Sequence, residues 1–409
     1  MTLTKKPVNG MKDILPDEMA LRSYVIGLIQ DTYRTFGFSQ IETPVVEHIE
    51  NLLSKQGGEN EQLIFKILKR GQKLDLSKPT TEDAVTDSGL RYDLTLPLSR
   101  YYSNHANELP APFKALQIGS VFRADRPQRG RYRQFTQCDI DILGDPSDLA
   151  EIDLILATTT VLQKLDFHNF TIRINDRRLL KAMAEKAGFA PEELSEVFII
   201  IDKLDKIGWD GVKAELLGKY PEEKVTPYLT MFEEVGSGEV GEKAKALMDE
   251  VGSPLPEIIG SVNAVKTADF TMKYDPTLVR GMSYYTGPIF EIAMDEYGGS
   301  VGGGGRYDEM IGKFTGQKTP AVGFSIGFER IIMLLMERGF VVPGASDKIA
   351  FMVEKNMPAD KLASIYAEAM QLRAEGKTVD ISQMKKNKKF QKQQLTDLGY
   401  TDIREFFNR

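Results

Sequence analysis

Residues 122–144 read "FRADRPQRGRYRQFTQCDIDILG". Arg123, Arg126, Arg129, Arg131 and Arg133 crowd the first half of this stretch, and the second half alternates with the period of a β-strand. Phe135, Gln137, Asp139 and Asp141 share one face; Thr136, Cys138, Ile140 and Ile142 share the other. One face is acidic and the other apolar. An acidic strand face ordinarily meets water, and taken alone this strand predicts a wet face. The arginines just before it argue for a site that uses both charges. Upstream, "FKALQIGSVF" (113–122) is a second strand, so the whole predicts a long hairpin connected by the arginine loop.

Outward from the hairpin, "LPDEMALRSYVIGLIQDTYRTFGF" (15–38) predicts a helix opened by Pro16 and Asp17 and closed by Gly37. "FSQIETPVVEH" follows as strand and turn. A helix is expected from Ala150 to Lys164, then the strand "FTIRIND". Residues 178–261 are rich in Lys and Glu, carry Trp209, and read as a helical insertion. Strands return in "LVRGMSYYTGPIFEIAM" (278–294), which places Arg280 and Tyr284 within a strand. "YGGSVGGGGRYD" is expected to be a Gly-rich turn between strands, and "AVGFSIGFERIIMLLMERG" a strand running into a helix. From Lys348 the alternation of short strands and helices predicts a small α/β tail. The expected parts are 1–177, first part of a core; 178–261, insertion; 262–340, second part of the core; and 346–409, tail.

Composition bounds the function. The chain has 409 residues, 42% of them hydrophobic, enough for a large core divided into several domains. No apolar run reaches the roughly 18 residues of a membrane span, and the N-terminus lacks a signal-peptide core, so no membrane partner and a cytoplasmic protein are expected. One cysteine, Cys138, excludes an internal disulfide. His48, His105 and His168 are scattered without metal-ligand spacing, and no metal site is expected. With 52 basic against 59 acidic residues and a net charge of −7, nucleic acid could be met only through a local basic patch.

Nucleotide signatures are indirect. Gly236-Ser-Gly238-Glu-Val-Gly241 matches GxGxxG but follows a helical stretch rather than a strand, so it is not a dinucleotide fingerprint. There is no P-loop. The run Gly302 to Gly305 suits either a tight bend or a binding floor. Arg330, near the start of a helix, is either solvated or a phosphate clamp. Arg123, Arg280 and Arg330 together suit a polyanion such as a triphosphate, whereas Gln137, Asp141 and Asp93 suit a small cation with several donors. An amino acid with an imidazole ring is such a cation.

These residues resemble the class II aminoacyl-tRNA synthetases, and within them the histidyl-tRNA synthetase family. The opening stretch resembles the second class II motif, "IETPVVEH" with Pro44 the first, and "GFSIGFERI" with Arg330 the third. "LVRGMSYYTGPIFE" and "GGGGRYD" resemble two histidine-specific signatures; "GMKDILP" and "LRYDLTLPLSRY" also fit. "RYDLT", "QCDIDI" and "DKLDKIGWDGVKAEL" resemble its eukaryote-like branch. The resemblance implies an α+β fold: an antiparallel sheet flanked by helices, a helical insertion and a small α/β C-terminal domain. It implies histidine, ATP with Mg2+, and tRNA(His) as ligands of a homodimer. Arg280 and Arg123 would be catalytic, and Arg123, Asp125, Arg131 and Arg330 would bind ATP. Asp93, Thr95 and Gln137 would take the ammonium group, Asp141 with Tyr284 and Tyr285 would meet the imidazole, and Gly303, Gly304 and Gly305 would floor the pocket. Arg126 and Gln128 would approach the tRNA acceptor end. Two departures stand out: Ser283 replaces a common Asp, and the tail is expected to be an abbreviated anticodon-binding domain. The competing reading is a paralogue that keeps the fold, loses aminoacylation and serves as regulatory subunit of an ATP phosphoribosyltransferase.

Overall fold

The computed structural model describes residues 3–53, 62–74, 76–77, 81–266, 270–279, 284–343 and 347–408. In chain order the strands of its first compact unit, Met1–Phe340, are β1 (Ser39–Gln40), β2 (Val46–His48), β3 (Lys66–Leu68), β4 (Thr86–Leu90), β5 (Phe113–Phe122), β6 (Gln134–Leu143), β7 (Phe170–Asp176), β8 (Phe270–Tyr274), β9 (Pro288–Met294), β10 (Gly299–Arg306) and β11 (Ala321–Ile326). Eight of them form one sheet in the order β1-β5-β6-β11-β10-β9-β7-β8, while β2, β4 and β3 form a small sheet of their own. The large sheet is antiparallel except at its ends, where β1 pairs with β5 and β7 with β8 in parallel. The predicted hairpin is present: β5 and β6 pair from Phe113↔Leu143 to Phe122↔Gln134.

The first helix, Pro16–Thr35, buries Leu21, Val25, Ile29 and Tyr33, a four-residue spacing that makes one apolar stripe. Beyond its end Gly37 adopts a positive φ of 84°, which only glycine takes without strain. This helix packs on the helix Leu149–Lys164, which covers β11. Cys138, Ile140 and Ile142 on the apolar face of β6 are buried, as expected. Six helices from Arg177–Lys186 to Leu255–Val265 lie between β7 and β8. A parallel pair requires such a crossover, because a short turn cannot return the chain in the same direction.

The acidic face of β6, wet if the strand is taken alone, is buried, with Asp139 and Asp141 4% and 2% exposed. Two expectations fail. Of the strand drawn from 278 onward, Leu278, Val279 and Tyr284 to Gly287 lie in no strand and residues 280–283 are outside the described residues, so the described strand starts at Pro288; a proline, with no N–H to give, sits at a strand's first residue rather than inside it. The glycines 302–305 are the interior of β10, paired with β9 on one side and β11 on the other, rather than a turn. A Cβ on Gly304 would lie 1.9 Å from the carbonyl oxygen of Gly323, so this close passage of strands needs a residue without a side chain.

The second unit, Val341–Arg409, has a three-stranded parallel sheet in the order β13-β12-β14, formed by β12 (Lys348–Val353), β13 (Thr378–Gln383) and β14 (Asp402–Phe406). Ile349, Phe351 and Val353 pack with Ile365, Ala369 and Leu372 of the helix Ala359–Ala374, and Ala350 and Met352 pack with Leu395 of the helix Lys388–Asp397. Alternate residues of β12 thus face two helices. No described helix is long and apolar enough to cross a membrane.

Candidate active site

β6 supplies the floor of a cavity of about 430 Å³. Gln137, Asp139 and Asp141 face it from β6, Ser325 and Gly323 from β11, and Gly302 to Gly305 from β10. Tyr284, Tyr285 and Tyr307 close one side; Arg123, Asp125 and Arg131 border it from the hairpin connection, and Arg330 from the helix Phe328–Glu337. Asp93 and Thr95 complete the lining. Of the residues named from sequence, Arg126 and Gln128 are not among the lining and are exposed in the hairpin connection. Arg280 and Ser283 lie outside the described residues.

The segment holding Asp93 is clamped. Arg91, itself buried, donates to the carbonyls of Thr43 (2.6 Å) and Ser120 (2.9 Å) and passes beneath Gly119. Gln117 Nε2 donates to the carbonyl of Leu94 at 3.1 Å, and Arg123 Nε to that of Tyr92 at 2.8 Å. Asp93 Oδ1 accepts the backbone N–H of Leu96 at 3.2 Å, at the start of the helix Thr95–His105. This fixes its orientation and leaves Oδ2 without a hydrogen-bond partner among the described residues.

Electrostatically the floor is acidic, and its carboxylates are buried. Burial pushes the Asp139 carboxyl up to about 7, with the Ser325 hydroxyl opposing and Asp93 reinforcing. The Asp141 carboxyl is held well above the usual carboxylate range by burial and then by Asp139, against a hydrogen bond from the Tyr307 hydroxyl at 2.5 Å. Burial likewise raises Asp93, opposed by the Leu96 N–H and by Arg123 and Arg91. Asp93 Oδ2, Asp141 Oδ2 and Gln137 Oε1 are buried and accept no hydrogen bond from any described residue. Buried acceptors are costly to leave unsatisfied. Three in one cavity ask for a ligand that donates several hydrogen bonds and carries positive charge.

The other end of the cavity is cationic. The Arg123 guanidinium stacks 5.2 Å from the Phe135 ring centroid, and that of Arg330 lies 5.2 Å from Tyr297. Glu329 is held by Arg22 through a bidentate pair at 2.7 and 2.8 Å and accepts the Thr136 N–H, tying the start of its helix to the first helix and to β6. Gly130, with φ of 69°, lets the hairpin connection turn beside Tyr297 and Arg330. Several of these residues escape sequence reading. Tyr307 lies within the quoted "GGGGRYD", and Asp139 shares the strand face of Gln137, so both had a signal. Ser325 and Glu329 lie within the quoted "GFSIGFERI", but the contacts of Ser325 with Asp139 and of Arg22 with Glu329 had no signal, because they depend on the β6–β11 register and on helix docking.

An antiparallel sheet whose hairpin brings arginines beside an acid-lined pocket, with a third-motif helix at the rim, is the architecture of the class II aminoacyl-tRNA synthetases. Known proteins narrow the class. The profile of the histidyl-tRNA synthetase family matches residues 10–331. A histidine–tRNA ligase of Leifsonia xyli subsp. xyli is 43% identical over 398 residues, 94% of this chain and 91% of its own length. One from Christiangramia forsetii is 39% identical, covering 81% of this chain and 76% of its own. The solved histidyl-tRNA synthetase from Nostoc sp. PCC 7120 superposes with a TM-score of 0.76 at 28% identity, over 97% of this chain and 90% of that one. This chain belongs to the histidyl-tRNA synthetase family. A Bacillus halodurans structure described as an ATP phosphoribosyltransferase regulatory subunit/histidyl-tRNA synthetase has a TM-score of 0.75 at 19% identity and shares the fold.

Proposed function

We propose that this chain is a histidine–tRNA ligase, which joins histidine to ATP as histidyl-adenylate and passes the histidyl group to tRNA(His). The observation that carries the reading is the trio of buried, unsatisfied acceptors, Asp93 Oδ2, Gln137 Oε1 and Asp141 Oδ2, in one cavity with Arg123 and Arg330. Histidine has an ammonium group and ring N–H donors to answer them. Asp93, Thr95 and Gln137 would hold the ammonium, Asp141, Tyr284 and Tyr285 would meet the ring, and Gly303 to Gly305 would let it lie flat on β10. A site that hydrogen-bonds the ring rejects amino acids without it, because the acceptors would stay unpaired.

ATP, arriving with Mg2+, would place its phosphates against Arg123, Arg131 and Arg330, with Asp125 holding Arg131 at 3.9 Å. The chemistry is a displacement at the α-phosphorus: a histidine carboxylate oxygen bonds to it as the bond to the bridging β-phosphate oxygen breaks, and pyrophosphate leaves. Arg123, and Arg280 on the family resemblance, would neutralise charge that builds on the α-phosphoryl oxygens. This is positioning and electrostatics, with no proton to move in the first step. Arg126 and Gln128, exposed on the hairpin, would approach the tRNA acceptor end, and the first-motif segment would join a homodimer. Residues 341–409 would contribute a small tRNA-binding domain.

The test is histidine-dependent ATP–pyrophosphate exchange by the purified protein, followed by charging of tRNA(His). Exchange that is absent, or equal with other amino acids, refutes the reading and favours a paralogue without catalysis.

A further inference from the structure

Asp139 has no role in the preceding assignments, yet it organises the cavity floor. Gln137 Nε2 lies 3.3 and 3.1 Å from its two carboxylate oxygens and 3.4 Å from Ser325 Oγ, and Ser325 Oγ donates to Asp139 Oδ1. Ser325 is the direct cross-strand partner of Asp139, so the β6–β11 register sets this contact. A primary amide has a donor end and an acceptor end, and its neighbours decide which way it points. Above about pH 7 the Asp139 carboxyl is ionised in the folded protein and only accepts. Facing Asp139, Gln137 must therefore turn its NH2 towards that carboxylate, which leaves Oε1 buried and without a described partner in a side chain that lines the cavity.

We propose that Asp139 is a positioning residue for substrate selection: its carboxylate, held by Ser325, locks the Gln137 amide with its oxygen towards the ammonium group of the amino acid. This rests on histidine being the substrate and adds a group that does not itself touch it. In Asp139→Asn the new amide can turn its NH2 to Gln137, whose own amide then rotates and aims a donor at the substrate cation.

The experiment measures affinity by calorimetry at pH 8, where Asp139 is ionised, for histidine and for imidazolepropionate, which is histidine without its amino group. The proteins are the full-length chain, Asp139→Asn, Gln137→Ala and the double variant, each checked by circular dichroism. Asp139→Asn should weaken histidine by about 10- to 100-fold, the size of one charge-assisted hydrogen bond, and change imidazolepropionate less than about twofold. In the Gln137→Ala background it should add less than about twofold, because the two residues act as a unit. Equal loss for both ligands would mean that Asp139 only supports the fold. A full effect of Asp139→Asn without Gln137 would mean that its charge acts directly on the ammonium. Either result overturns the proposal. An unsubstituted protein that binds imidazolepropionate as tightly as histidine overturns instead the assignment of the ammonium site, and the proposal with it.

Discussion

Asp139→Asn should make the folded protein more stable at pH 8 while impairing its function. Burial holds the Asp139 carboxyl up to about 7 against an ordinary 3.8. The separation, about 3 pH units at 1.36 kcal/mol each, corresponds to about 4 kcal/mol. The folded state keeps a proton that the unfolded state has already released, so the unfolded state binds fewer protons and stability falls as pH rises. The contribution is fully present below about 3.8, is lost as pH climbs through about 7, and is level above that. An asparagine does not titrate. The stability of the variant minus that of the unsubstituted protein should therefore widen between pH 5 and pH 8 in the variant's favour. Losing the charge also relieves Asp141, whose carboxyl is held up by burial and then by Asp139. Urea unfolding followed by circular dichroism at pH 5, 6, 7 and 8 reads this directly. A difference that stays flat over that range, or a variant less stable at pH 8, would refute the argument that a buried, proton-poor carboxylate is kept here at a cost to the fold.

Tyr307→Phe removes the hydroxyl that donates to Asp141 Oδ1 and leaves both carboxylate oxygens without a described donor; histidine affinity should fall by about tenfold, measured by calorimetry. Gly323→Ala would place a Cβ 2.0 Å from Asp141 Oδ1, so histidine-dependent pyrophosphate exchange should be nearly lost and unfolding should come about 1–3 kcal/mol earlier by denaturant titration. Arg22→Met strands Glu329, whose side chain is 10% exposed, and should cost about 3–5 kcal/mol by the same titration; Arg22→Met with Glu329→Gln should recover part of it. Changing the exposed Lys385, Lys386 and Lys389 to Gln should flatten the salt dependence of tRNA binding by about one log–log unit per lysine if they meet phosphate, leaving pyrophosphate exchange unchanged. Lys388 and Lys392 already pair with Glu405 and should matter less.

Much of the fold was legible because its signals are local. The period-2 run at 134–143, the stripe Leu21, Val25, Ile29 and Tyr33 with Gly37 beyond it, and the strand–helix alternation after Lys348 each report on neighbours within a few residues. The motif residues could be named for the same reason, but their meeting in space could not: Asp93, Gln137, Tyr285 and Arg330 come from separate elements and line one cavity because the sheet order places β6, β11 and β10 side by side. What the sequence could not decide was burial. Period 2 says that Asp139 and Asp141 share a face with Gln137, but water or protein over that face looks the same in one strand. Tertiary packing buried that face, and with burial came the raised carboxyl pKa values and the unsatisfied oxygens. The glycines 302–305 make the same point, since a glycine run reads as a turn until two neighbouring strands are seen to pass within reach of a Cβ. The sequence by itself determined the elements, the period of each and the chemical character of their faces, all set by residues close in the chain. Only the tertiary structure decided which faces are dry and which side chains from distant segments touch, because strand register and helix docking are chosen by the whole core at once.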